Sequence, residues 1–247
     1  MNMSKYLTNP MGKGASVLSF APIRNELDKQ YNILQHAITV TWYSMGDFLV
    51  AHVKVPSHSI ENLFYDVLIE IDTESIPDNI TVINNANVRV FSNCPSFVFT
   101  FANIFQKNGD FIDWAGGKYP KEIMKKDPET RNPAGIVSYE RSLYLAFKYI
   151  LSNGRNYKNR VKLNLVSAKA KQILKDVKTS EEILKEYQKG KDKQKERDAE
   201  LKKKNLKETK PAPSTKLPPK KAPSGVKTTK KTKKTRSTAK TKTVKKI

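Results

Sequence analysis

Apolar and polar residues alternate in several stretches of the first hundred residues, which is the period-2 pattern of a β-strand with one buried face. The clearest alternation covers residues 63–72, where Tyr65, Val67 and Ile69 share one face. Comparable patterns predict four more strands, at residues 38–43, 48–53, 81–91 and 97–105. Because no crossover helix separates these strands, we predict an α+β fold with an antiparallel β-rich domain, either a sandwich or a small barrel.

Helical spacing of apolar residues is found on both sides of the strands. Residues 23–34 carry apolar side chains three or four positions apart, which predicts a helix ahead of the first strand. A second helix is predicted at residues 133–152, with Asn132 as its N-cap and Gly154 as its stop. We expect this C-terminal helix to pack on the sheet and to close the domain.

After residue 154 the pattern becomes helical and highly charged. Thr179 and Glu182 have the spacing of a capping box, which predicts that a new helix starts there. Beyond Tyr187 the residues are mostly Lys, Glu, Asp and Gln, as in a single solvent-exposed helix. Five prolines between residues 211 and 223, and the absence of aromatic residues after them, predict that residues 209–247 are disordered.

Charge is distributed very unevenly over these segments. The formal net charge is +22, yet residues 1–154 carry 14 Lys+Arg against 15 Asp+Glu. Residues 155–208 carry 18 against 9, and residues 209–247 carry 14 against none. We therefore divide the chain into an N-terminal arm (1–20), a neutral β-rich domain (21–154), a basic helical extension (155–208) and a disordered tail (209–247). This asymmetry indicates nucleic acid or another acidic surface as the partner.

The tail carries the strongest functional signal. It has no aromatic residue to stack on bases, so its cations would contact phosphates without reading sequence. In composition it resembles the Lys/Thr/Ala/Pro-rich termini of linker histones and of many ribosomal and virion proteins. The predicted phosphate-binding residues are Lys216, Lys220, Lys221, Lys227, Lys230, Lys231, Lys233, Lys234, Arg236, Lys240, Lys242, Lys245 and Lys246.

Three carboxylates provide the enzymatic alternative. Asp66, Glu70 and Asp72 share one face of the third predicted strand, where they could hold a hard cation such as Mg²⁺ in a metal-dependent nuclease. The competing interpretation is a polar face turned to solvent. The sequence contains no P-loop, no G-x-S-x-G motif and no kinase or dinucleotide-binding motif. A single cysteine, Cys94, excludes a disulfide framework and a Cys-rich zinc site, and we predict no cofactor.

The aromatic residues at 97, 99 and 101 suggest a second alternative. Alternate aromatic residues on a strand form the base-stacking surface of RNA-recognition motifs. Those motifs also have a Lys/Arg-Gly start and a small residue between the aromatics, and this sequence has neither. We therefore predict that Phe97, Phe99 and Phe101 face the core of the domain.

These patterns together predict a non-enzymatic, nucleic-acid-associated protein. The neutral domain would dock with a protein partner or with another copy of itself, while the tail binds phosphates. An accessory protein of replication or chromosome organisation would work in this way, as would a virion protein whose tail contacts the packaged genome. A nuclease and a ribosome-associated factor are the alternatives. No run reaches the roughly 18 apolar residues of a membrane helix, and residues 1–20 do not resemble a secretory signal. We expect no membrane partner, and a location in the cytoplasm, nucleoid or virion.

Overall fold

The computed structural model describes residues 1–9, 16–72, 86–120, 122, 132, 135–137, 139–153 and 166–208. The chain divides into two compact units, Met1–Lys203 and Lys204–Ile247. Of the second unit, the described residues are the last turn of one helix. Within the described part of the chain, no helix has both the length and the apolar character that crossing a bilayer requires.

The fold is α+β, as predicted, and it is built on a five-stranded sheet of order β4-β3-β2-β1-β5. The strands are β1 Thr39–Met45, β2 Phe48–Pro56, β3 Phe64–Asp72, β4 Val88–Ser92 and β5 Val166–Ser167. The first four are antiparallel neighbours, which confirms that part of the prediction. The fifth pairs in parallel with β1, so the sheet is mixed rather than wholly antiparallel. The described strands form one open sheet, not a sandwich or a closed barrel.

The strand predicted at residues 97–105 is wrong, because this segment is helical. Helix α3 spans Pro95–Thr100 and helix α4 spans Ala102–Lys107. Aromatic and β-branched residues favour strands, but Pro95 occupies the first position of α3, where proline is well tolerated. The backbone hydrogen bonds are those of a helix, since the Phe101 N–H donates to the Phe97 carbonyl at 2.9 Å and the Phe105 N–H donates to the Phe101 carbonyl at 3.0 Å.

The N-terminal residues form part of the folded unit, which corrects the prediction of an arm at residues 1–20. Helix α1 spans Met3–Thr8 and helix α2 spans Val17–Leu34. Met3 and Tyr6 are fully buried, and the Tyr6 hydroxyl accepts a hydrogen bond of 2.7 Å from the Glu140 backbone N–H. Three apolar residues, Met3, Tyr6 and Leu7, on a six-residue helix leave too short a pattern to be recognised among polar neighbours.

The C-terminal helix of the predicted domain is shorter than expected. Helix α5 spans Arg141–Asn153, although the sequence predicts a start near residue 133. Asn132 forms a local turn instead of a cap, because its side-chain amide bonds both the N–H and the C=O of Ile136. The carboxylate of Glu140 caps α5 by accepting the Leu143 N–H at 3.0 Å.

Both faces of the sheet are covered. On the apolar face, α5 packs on β2 and β3, and Ser142 of α5 lies 2.8 Å from Ser92 between their hydroxyl oxygens. On the opposite face, residues 113–119 cover part of the sheet, with the ring of Tyr119 stacked on that of Phe91 at 4.9 Å. The second face holds the carboxylates of Asp66 and Glu70, so the predicted polar, solvent-facing side of β3 is buried.

Candidate nucleic-acid interface

All of the predicted phosphate-binding residues, from Lys216 to Lys246, lie outside the described residues. The same is true of the disorder predicted for residues 209–247, so both stay predictions. The structure does describe much of the segment that connects the sheet to the tail. That segment comprises β5, helix α6 (Ala170–Lys175) and helix α7 (Ser180–Glu208).

The connecting segment is anchored in the core of the folded unit. Ile173, Val177 and Ile183 are almost completely buried within the main hydrophobic cluster. The sequence predicts that residues 155–208 form an extension separate from the domain. In the structure, the described residues from 166 to 183 are instead part of the domain. Residues 166–183 carry only a short apolar stripe. The sequence does not show that this stripe packs against the face of the sheet that holds Asp66 and Glu70.

A buried polar network holds the junction between α6 and α7. The centre of this network is Asp66, whose Oδ1 lies 2.8 Å from His52 Nε2. Its Oδ2 accepts hydrogen bonds from Asn93 Nδ2 at 2.8 Å and from the Lys178 backbone N–H at 3.1 Å. Asn93 Nδ2 also donates to the Lys178 carbonyl at 3.1 Å. The backbone at Lys178 is therefore fixed through both of its polar groups.

These hydrogen bonds determine the ionisation of Asp66. Burial alone would raise the pKa of this carboxyl, because it disfavours the charged form. The bonds from His52, the Lys178 N–H and Asn93 outweigh burial, and the pKa of Asp66 lies below its usual value. Asp66 is thus an ionised, fully engaged carboxylate at neutral pH.

Glu70, the second carboxylate of the metal-site alternative, lies on the same face of β3 as Asp66. Glu70 accepts hydrogen bonds from Arg89 Nε at 2.7 Å and from Trp114 Nε1 at 2.6 Å, and it is almost completely buried. The carboxylates of Asp66 and Glu70 each have protein partners at both oxygens, and Asp72 lies at the partly exposed end of β3. Across the described ranges, no group of three or more His, Cys, Asp or Glu side chains is placed to hold a metal ion.

Sequence reasoning missed the partners of these carboxylates. Asn93 is 27 residues from Asp66, and Lys178 is 112 residues from it. No spacing rule connects residues so far apart. Burial, and then the charge of Glu140, raise the pKa of the Cys94 thiol well above its usual value, so the reactive thiolate is disfavoured.

The start of α7 confirms the predicted capping box. The Thr179 N–H donates to Glu182 Oε2 at 2.7 Å, and the Glu182 N–H donates to Thr179 Oγ1 at 3.2 Å. Past this cap, α7 lies against residues 57–63. A Cβ added to Gly190 would overlap Ile60 Cγ2, and Arg197 Nη1 lies 3.2 Å from Glu61 Oε2. The helix is therefore docked on the folded unit at least as far as Arg197.

The contact between Gly190 and Ile60 predicts whether Gly190→Ala stabilises or destabilises the protein. In a free, solvated helix, replacing glycine by alanine stabilises by about 1 kcal/mol. Here Gly190→Ala is expected to lower the free energy of unfolding, because the new methyl group overlaps Ile60. Urea denaturation of the full chain measures the change.

The matched control is the double variant Gly190→Ala/Ile60→Ala. Truncating the Ile60 side chain relieves the overlap. Gly190→Ala should therefore lower the free energy of unfolding less in the Ile60→Ala variant than in the wild type. A stabilising Gly190→Ala substitution in the otherwise unchanged chain would show that α7 is not docked.

Comparison with known proteins adds no assignment to this geometry. Protein-family models, curated proteins and solved structures give no match to the chain. The distribution of charge thus carries the functional argument. Residues 180–208, which form α7, carry 10 Lys+Arg against 8 Asp+Glu, so the helix is nearly balanced. Residues 155–179 carry 8 against 1.

Proposed function

We propose that this chain is a non-enzymatic, nucleic-acid-associated protein whose tail, residues 209–247, binds phosphates without sequence specificity. The folded unit, Met1–Lys203, would dock with a protein partner or with another copy of the chain. One observation carries the proposal. The tail holds 14 Lys+Arg and no Asp or Glu, whereas residues 1–154 are almost neutral.

The physical basis is the release of condensed counterions. Duplex DNA carries one phosphate charge per ~1.7 Å of helix axis, and each phosphate that a lysine neutralises releases bound cations into solution. The logarithm of the binding constant then falls by about 0.9 per phosphate contact for each tenfold rise in salt. The tail has no Asp or Glu, so no carboxylate in its own sequence competes with phosphates for its lysines.

Helix α7 is a poorer phosphate ligand than the tail. Its cations alternate with carboxylates, and some of them are paired with protein groups. Lys195 Nζ lies 3.9 Å from Asp192 Oδ1, and Arg197 is paired with Glu61. Nucleic acid would have to compete with these carboxylates, which supports the tail as the principal contact.

The buried carboxylates favour a binding protein over a nuclease. A catalytic metal ion needs carboxylate oxygens that are open to the ion and to substrate. Asp66 and Glu70 instead use their oxygens to hold His52, Arg89 and the junction of α6 and α7. Two roles fit the proposed mechanics, an accessory protein of replication or chromosome organisation and a virion protein that contacts packaged genome.

A charge-neutralising variant in the full chain tests the proposal. The tail variant replaces five lysines by glutamine: Lys230, Lys231, Lys233, Lys234 and Lys240. We expect its binding to duplex DNA, measured by fluorescence anisotropy over a salt series, to show a slope of log K against log salt that is shallower by about 4. Its melting temperature should equal that of the wild type.

The matched control removes the same charge from α7. It replaces Lys191, Lys193, Lys195, Lys202 and Lys203 by glutamine, all of which are exposed. The control should bind nearly as tightly as the wild type. If the two variants lose affinity equally, net charge rather than the tail governs binding, and the proposal is wrong. Unchanged binding by the tail variant would also refute it.

A further inference from the structure

Part of the segment ahead of α7 is as one-sided in charge as the tail. Residues 155–175 contain seven Lys+Arg and no Asp or Glu. Three of these cations, Lys169, Lys171 and Lys175, are among the described residues and are exposed. We refer to them as the α6 lysines.

The α6 lysines have no carboxylate partner among the described residues. The ion pairs of the described part use other cations, including Lys148, Lys178, Lys195 and Arg197. Lys171 and Lys175 are four positions apart, so their side chains leave the same side of α6. Ile173, between them, points into the core.

The nearest acid in sequence does not neutralise this side of the helix. Asp176 directly follows Lys175, and neighbouring positions on a helix do not face each other. Burial raises the pKa of Tyr43 on β1, and the negative charge of Asp176 raises it further. The exposed surface of α6 therefore has an excess of positive charge.

The backbone that carries the α6 lysines is fixed at both ends. Before α6, the Ala168 N–H donates to the Ser44 carbonyl at 3.1 Å, next to the pairing of β5 with β1. After α6, Lys118 Nζ donates to the Val177 carbonyl at 2.5 Å, and Asp66 accepts the Lys178 N–H. A fixed backbone reduces the ordering cost of binding.

We propose that the α6 lysines form a second phosphate-binding surface, held rigidly on the folded unit, that binds the same nucleic acid as the tail. This inference rests on the proposed function, because it assigns a further contact to the same partner. Two contacts on one chain raise the effective concentration of each for the other, so their joint affinity exceeds that of either alone. The buried network around Asp66 would then contribute to binding indirectly, because it fixes the backbone next to the α6 lysines.

The test uses the full chain with Lys169→Gln, Lys171→Gln and Lys175→Gln combined. We expect affinity for duplex DNA at ~0.1 M salt to fall about tenfold or more, and the salt slope to become shallower by about 2 to 3. The matched control, Lys191→Gln/Lys195→Gln/Lys202→Gln, removes equal charge from α7 and should change neither quantity. Replacing the α6 lysines by arginine should preserve binding, because the charge remains.

The outcomes separate this inference from the proposed function. If the α6 variant binds like its control while the tail variant is weakened, the α6 surface is refuted and the tail proposal stands. If the α6 variant is weakened and the tail variant is not, the tail proposal fails, and so does the inference that the α6 lysines and the tail bind one nucleic acid together; the α6 lysines would then be the principal phosphate contact. A lower melting temperature of the α6 variant, with no rescue by arginine, would also refute the inference.

Discussion

Replacing Phe97 by alanine is expected to lower the free energy of unfolding by about 3–5 kcal/mol, through lost burial and the cavity left behind. Phe97 is fully buried, and its ring packs against that of Phe105. A domain of this size has a total stability of about 5–15 kcal/mol, so the variant should melt much earlier or aggregate. Urea denaturation followed by circular dichroism measures the loss.

The matched control is Phe99→Ala. On a strand, residues 97 and 99 would share one face and would be equally buried. On helix α3 they point in different directions, and Phe99 is 36% exposed where Phe97 is 0% exposed. The control should therefore lose clearly less stability than Phe97→Ala. Equal losses would contradict the helical assignment of this segment.

Asp66→Ala is expected to cost about 3–5 kcal/mol, the usual penalty for removing one partner of a buried charged network. The variant leaves His52, Asn93 and the Lys178 N–H without their acceptor. Hydrogen exchange should show that the backbone N–H of Lys178 loses protection. Asp72→Ala, at the partly exposed end of the same strand, is the control and should cost less.

The cost of Asp66→Ala should depend on pH in a defined direction. An unfolded aspartate has a pKa of about 3.9, and the pKa of Asp66 in the folded protein is lower. The stabilisation that ionised Asp66 provides is therefore fully present above the unfolded pKa and is lost as the pH falls through the folded pKa. The difference in stability between wild type and Asp66→Ala should shrink below pH ~4. A difference that grows on acidification would contradict the assignment of Asp66 as an ionised acceptor.

The docking of α7 changes how the extension contributes to function. If α7 were a free helix, it would only connect the domain to the tail and would make no contact with the domain. Gly190 against Ile60 and the ion pair of Arg197 with Glu61 instead make this helix part of the surface of the folded unit.

The sequence by itself determined the features that depend on neighbouring residues. Period-2 alternation located β1, β2 and β3, and the spacing of Thr179 and Glu182 located the start of α7. The unequal distribution of charge, from which the phosphate-binding hypothesis follows, is also a property of the sequence alone. These signals are readable because strand alternation, caps and charge runs are set within a few residues along the chain.

Tertiary structure alone decided the features that depend on distant residues. Local preference favoured a strand at Phe97, but packing against Phe105 and the tolerance of Pro95 at a helix start made the segment helical. The sequence alone does not distinguish the polar side of β3 from a solvent-facing one, but in the structure residues 113–119 and the backbone at Lys178 cover it. Whether Asp66 binds a metal ion, faces water or anchors a helix depends on His52, Asn93 and Lys178, up to 112 residues away. Burial of a charge is stable only when such partners converge, and their convergence is a result of packing that no local period records.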